Sequence, residues 1–64
     1  MKLMRLPDVM RDTGLGRSSI YKQISEGNFP RPVNLGGRSV AWVSDEVSSW
    51  VAERIAQRDQ KASS

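Results

Sequence analysis

A chain of 64 residues with 38% hydrophobic residues and four aromatics, Tyr21, Phe29, Trp42 and Trp50, makes one domain around a thin core. It has no cysteine and no histidine, which excludes disulfides, thiol and imidazole catalysis and nearly every structural zinc arrangement, so neither an enzyme nor a cofactor is expected. The net charge of +3 with a pI near 10.0 points to an anionic partner.

The first ten residues include Lys2, Arg5, Pro7 and Asp8, unlike a signal peptide. No apolar run approaches the roughly 20 residues that span a bilayer. A soluble, cytoplasmic protein without a membrane partner is therefore expected. Met1, Met4 and Met10 read as core filler and a start residue. Residues 6 to 12, LPDVMRD, predict a short helix: Pro7 suits the first turn, Asp8 complements the positive helix start, and Leu6, Val9 and Met10 recur at helical spacing.

Gly14 ends that helix, and a tight turn from Thr13 to Gly16 leads to a second one over about Arg17 to Glu26. Ile20 and Ile24 lie one turn apart, and Gly27 is placed to stop the helix in a left-handed conformation. A glycine followed by an apolar residue, then isoleucines six and ten positions after the glycine, resembles a helix-turn-helix, a spacing that ordinary helical hairpins share: Leu15 plugs the angle and the isoleucines anchor the second helix on the first. At 100° per residue, Lys22 and Ser18 point away from the isoleucines, with Ser19, Tyr21 and Ser25 on the flanks and Arg17 at the helix start. Small hydroxyls let a helix enter the major groove, lysine reaches guanine edges or phosphate, and tyrosine donates to phosphate.

FPRPV, residues 29 to 33, reads as a stiff spacer because Pro30 and Pro32 push their predecessors toward extended geometry. A hairpin follows. Side chains alternate along a strand, so placing Val33, Leu35, Val40 and Trp42 on one buried face requires an even loop, either Gly36-Gly37 or Gly36 to Ser39. In both cases Arg38 lies at the tip. Arg31, between the prolines, and Ser39 are candidate backbone contacts. Ser44 then caps a third helix with Asp45 and Glu46 in its first turn and Val47, Trp50, Val51 and Ile55 as its apolar stripe. Trp42 and Trp50 are assigned to the core, and Arg54 and Arg58 to solvent or to i,i+4 pairs. The domain is expected over residues 1–58, with 59–64 a polar, disordered tail.

Charge is distributed unevenly. Residues 16 to 40 carry Arg17, Lys22, Arg31 and Arg38 against Glu26 alone, whereas residues 45 to 59 carry two cations and four anions. Solubility alone would spread the cations over every face. The stretches LPDV, TGLGRSSIYKQISEGNFPRPVNLGGRSVAW and SDEVSSWVAERI resemble the AlpA family of small phage and prophage regulators, themselves similar to excisionases and to the DNA-binding domain of MerR-type regulators. The resemblance covers residues 3 to about 57 and includes the distinctive FPxPVxLGGR…W pattern.

It implies a mainly α winged helix-turn-helix with three helices and a two-stranded wing, the second helix in the major groove and the wing on the flanking backbone or minor groove. The implied DNA contacts are Arg17, Ser18, Ser19, Tyr21 and Lys22 on the helix and Gly37 and Arg38 on the wing. The implied role is a regulator of transcription, an excisionase, or both, on double-stranded DNA, with an integrase, RNA polymerase or further copies of itself as partners. The family often has serine where Gly16 stands and arginine where Lys22 stands. The first change weakens a helix cap and the second removes bidentate geometry. The competing expectation is a protein-interaction module that offers the same basic face to an acidic protein.

Overall fold

The computed structural model describes residues 2–62 in the order β1 (Leu3–Met4), α1 (Leu6–Thr13), α2 (Arg17–Ser25), β2 (Val33–Gly36), β3 (Ser39–Val43) and α3 (Ser44–Ala62). Met1, Ser63 and Ser64 lie outside the described residues. Three helices and an antiparallel sheet of order β1-β3-β2 make the winged helix-turn-helix expected from the sequence. The third strand is an addition to the expected two-stranded wing. Leu3 pairs with Val43 and Met4 with Trp42, and the Ser44 amide at the start of α3 donates to the Lys2 carbonyl at 2.7 Å. Two residues are too few for a periodicity, so only the pairing reveals β1.

The turn between α1 and α2 is built from local chemistry. Gly14 adopts φ 73 and its amide donates to Met10 O. Thr13 Oγ1 donates to Val9 O at 2.8 Å and accepts from the Leu15 amide at 3.2 Å, which closes the angle into which Leu15 packs. No atom lies within 4 Å of the position a Gly14 Cβ would take, so the requirement there is backbone conformation, not space. Gly14→Ala is expected to cost about 1 kcal/mol, read as a lower midpoint of thermal unfolding, because an L side chain is strained in the left-handed region.

At the far end of α2 the Asn28 amide donates to Gln23 O and the Gly27 amide to Ile24 O, with Gly27 at φ 77. This pair of bonds satisfies the last carbonyls and turns the chain away from the helix.

Val9, Ile20, Phe29, Trp42 and Val47 form the buried core, with Met4, Leu6, Met10, Leu15, Ile24, Val40 and Trp50 packed around it. The two indoles also hold the α2–β2 linker: Trp42 Nε1 donates to Pro30 O at 3.1 Å and Trp50 Nε1 to Asn28 O at 2.6 Å. Phe29 stacks edge-on against Trp50 with 4.8 Å between centroids. Buried aromatic N–H groups need acceptors, and the linker carbonyls supply them.

The hairpin departs from the parity expectation. Its turn is Gly37-Arg38, closed by the pair Gly36–Ser39, a register that would continue to Leu35–Val40 and Val33–Trp42. A bulge between Asn34 and Gly36 shifts the pairing by one residue, giving Asn34–Val40 and Val33–Ala41. A shift of one residue exchanges faces, so Val33 leaves the side of Trp42, and Val33 and Leu35 are 41% and 47% exposed instead of buried. Asn34 Oδ1 accepts the Gly36 amide at 2.7 Å, and Gly36 takes φ 115, a backbone that side-chain-bearing residues rarely adopt.

The long helix also differs from expectation. Val47 is buried and Trp50 and Val51 are half-buried, but Ile55 is 46% exposed, because no element of so short a chain extends far enough to cover it. The backbone of residues 59–62, expected as a disordered tail, continues α3 to Ala62. Among the described residues no helix is long and apolar enough to cross a membrane.

Candidate nucleic-acid interface

The face of α2 is set by its two isoleucines. Ile20 is fully buried and Ile24 is packed at the core's edge, which turns Arg17, Ser18, Ser19, Tyr21 and Lys22 outward, all of them exposed. Ser25, expected on the flank of this face, donates its hydroxyl to Lys22 O at 2.7 Å and so spends it on the helix. Tyr21 has two roles by position. Its ring meets Trp42 edge-on at 6.4 Å between centroids, yet the residue remains 40% exposed. This contact ties α2 to the middle strand of the sheet, and through it to the hairpin.

Gly16 stands at the N-cap of α2 with no side-chain capping bond, and the first intrahelical bond runs from the Ile20 amide to Gly16 O at 3.0 Å. The amides at the start of α2 therefore lack a side-chain acceptor. Unfilled amides and the positive helix end together attract an anion.

Gly37, Arg38 and Ser39 are brought together at the exposed hairpin turn. Arg31 is placed elsewhere. It lines an open groove with Asp45, Glu46, Ser49, Trp50 and Glu53.

Among the described residues the side-chain ion pairs are Arg11–Asp8 at 3.5 Å and Arg58–Asp59 at 3.0 Å. Neither involves Arg17, Lys22 or Arg38. Arg54 lies over the Trp50 ring at 4.8 Å and donates to Gln57 Oε1 at 3.5 Å, while Arg58 pairs with its neighbour Asp59; neither makes an i,i+4 pair, and both are exposed, the other arrangement expected for them. Arg54 and Arg58 are thus engaged within their own helix, and among the described residues Arg17, Lys22 and Arg38 make no ion pair.

The surface positions of Val33 and Leu35 and the indole bonds to the linker lie outside what the alternation of residues predicts. Asn34 ahead of two glycines was the available signal for the bulge, because asparagine commonly accepts the amide two residues on. The indole bonds carry no such signal, since their partners are 12 and 22 residues away.

The chain is similar to known regulatory proteins. The family model described as prophage CP4-57 regulatory protein (AlpA) matches residues 2–55. The chain is 51% identical over 57 residues to the uncharacterized protein ORF88 of Enterobacteria phage P4, covering 89% of this chain and 65% of that protein, so it spans less than two thirds of that relative's length. It is 32% identical over 60 residues to the DNA-binding transcriptional activator AlpA of Escherichia coli (strain K12), covering 84% of this chain and 86% of that protein.

Proposed function

The chain belongs to the AlpA family of prophage regulatory proteins, and on that premise we propose that it is a sequence-specific regulator that binds double-stranded DNA of a phage or prophage-like element. The observation that carries this reading is the unpaired cationic surface of α2 and the hairpin tip: among the described residues Arg17, Lys22 and Arg38 have no carboxylate partner. In this reading α2 enters the major groove with Arg17, Ser18, Ser19, Tyr21 and Lys22, and the wing lays Gly37, Arg38 and Ser39 on the adjacent backbone or minor groove. Arg31 is left out because it lines a separate groove shared with acids of α3 and not the surface of α2 and the hairpin tip.

Major-groove base edges would supply selectivity, and phosphates would supply affinity and register. A single helix with one wing covers little DNA, so copies on adjacent repeated sites are the natural arrangement. Regulating a promoter beside RNA polymerase and directing excision beside an integrase use the same DNA contacts. Footprints beside a promoter would assign the first role, and footprints within an attachment site the second.

The reading is tested by titrating the purified chain with duplex DNA across a salt series. About four phosphate contacts should give a slope of log affinity against log salt of about −3 to −4. Affinity for random duplex that stays undetectable at low salt would remove DNA as the partner and leave an acidic protein as the one this basic face serves. In vitro selection from a duplex pool then reports the target and the repeat spacing together.

A further inference from the structure

β2 is a free edge of the sheet, and its solvent-facing bulk is apolar: Leu35 and Val33 are exposed where an even register would have buried them. From Gly27 to Ser44 the chain has no aspartate or glutamate and has two cations, Arg31 and Arg38. An exposed leucine therefore stands three residues before a guanidinium that has no ion pair among the described residues, on a hairpin without a carboxylate. The bulge that moves Leu35 out of alternation is held by the Asn34–Gly36 hydrogen bond.

A second copy pairing along this edge is disfavoured. The strand is four residues long, it is kinked by the bulge, and Pro32 immediately before it offers no amide. These are devices that block strand-to-strand association. Duplex DNA has the complementary chemistry. The walls of its minor groove are apolar deoxyribose rings framed by phosphates, so a leucine beside an arginine meets both.

We propose that Leu35 is an apolar DNA contact of the wing, packing on deoxyribose in the groove whose phosphates Arg38 neutralises. The inference rests on the DNA-binding reading above and adds to it a contact that carries no charge.

The experiment uses the full chain, a duplex recovered by in vitro selection and a random duplex of equal length, each titrated across a salt series. Leu35→Ala is expected to lower affinity about five- to tenfold on both without changing the salt slope, because apolar burial releases no counterion. Leu35→Met should keep affinity within about twofold, since volume and apolarity are conserved. Ile55→Ala, equally exposed but on α3, should leave binding unchanged, and all three variants should melt with the wild type.

A Leu35→Ala protein that binds as the wild type does, or whose loss is accompanied by a changed slope, overturns the proposal while DNA binding stands. The same holds if Leu35→Ala and Ile55→Ala weaken binding alike, or if Leu35→Ala alters the mass in sedimentation and not the affinity. Wild-type protein that binds neither duplex removes the DNA reading itself, and this contact with it.

Discussion

Trp42→Ala is expected to leave no cooperatively folded domain at ordinary temperatures. Trp42 is fully buried on the central strand, among Val9, Ile20, Phe29 and Val47. It also braces α2 through Tyr21 and holds the linker through its bond to Pro30 O. Truncating a buried tryptophan to alanine costs about 3 to 5 kcal/mol. A domain of this size has about 5 kcal/mol or less to lose, because it buries so small a share of its surface.

Circular dichroism during heating checks this, and a sharp transition within a few degrees of the wild type would contradict it. Trp42→Phe retains most of the ring and loses the N–H donor, so it should fold with its midpoint lowered by roughly 10 °C, for a loss of about 2 kcal/mol. Trp50→Ala should be milder than Trp42→Ala, since Trp50 is only half-buried.

The second large effect separates the two halves of the interface. Arg38→Ala should weaken selected and random duplex alike, by about tenfold, and reduce the salt slope by about 0.9, as removal of one phosphate contact does. Lys22→Ala should weaken the selected duplex by about 1 to 3 kcal/mol and random duplex by much less, because base-edge contacts discriminate and phosphate contacts do not. Substitution of Ser18 should likewise shift the preferred sequence. Equal losses for Lys22→Ala on both duplexes would deny α2 its role as the reading helix. None of these residues is buried, so the folded fraction should stay constant through the series.

Where an element is governed by its own residues, it was legible in the chain. The left-handed glycines Gly14 and Gly27, the plug Leu15 and the buried Ile20 all sit where spacing placed them. So does the outward face of α2, since a helix that buries one stripe must expose the opposite one. The hairpin turn was legible as an even loop, but not the strand behind it. Parity assumes uninterrupted alternation, and one extra residue at Leu35 cancelled it.

Ile55 failed for a different reason. Its helical spacing is sound, but burial needs a partner surface, and a periodic pattern cannot show where the neighbouring elements end. Arg31 is a third case, for an exposed cation between prolines has no local feature to say whether acids or open solvent will face it.

The sequence by itself determined which segments are helical, where the first two of them stop, which face of α2 is polar and which part of the chain is cationic. Each depends on residues within about one or two turns of one another. The tertiary structure alone decided the register of the hairpin, the addition of β1, the anchoring of the linker by two indoles, and the seat of Arg54 over the Trp50 ring. The pairing of β1 and the indole bonds depend on groups that meet across 12 or more residues, and the register on a one-residue bulge, where hydrogen-bond satisfaction and packing select among arrangements that local propensity leaves equal.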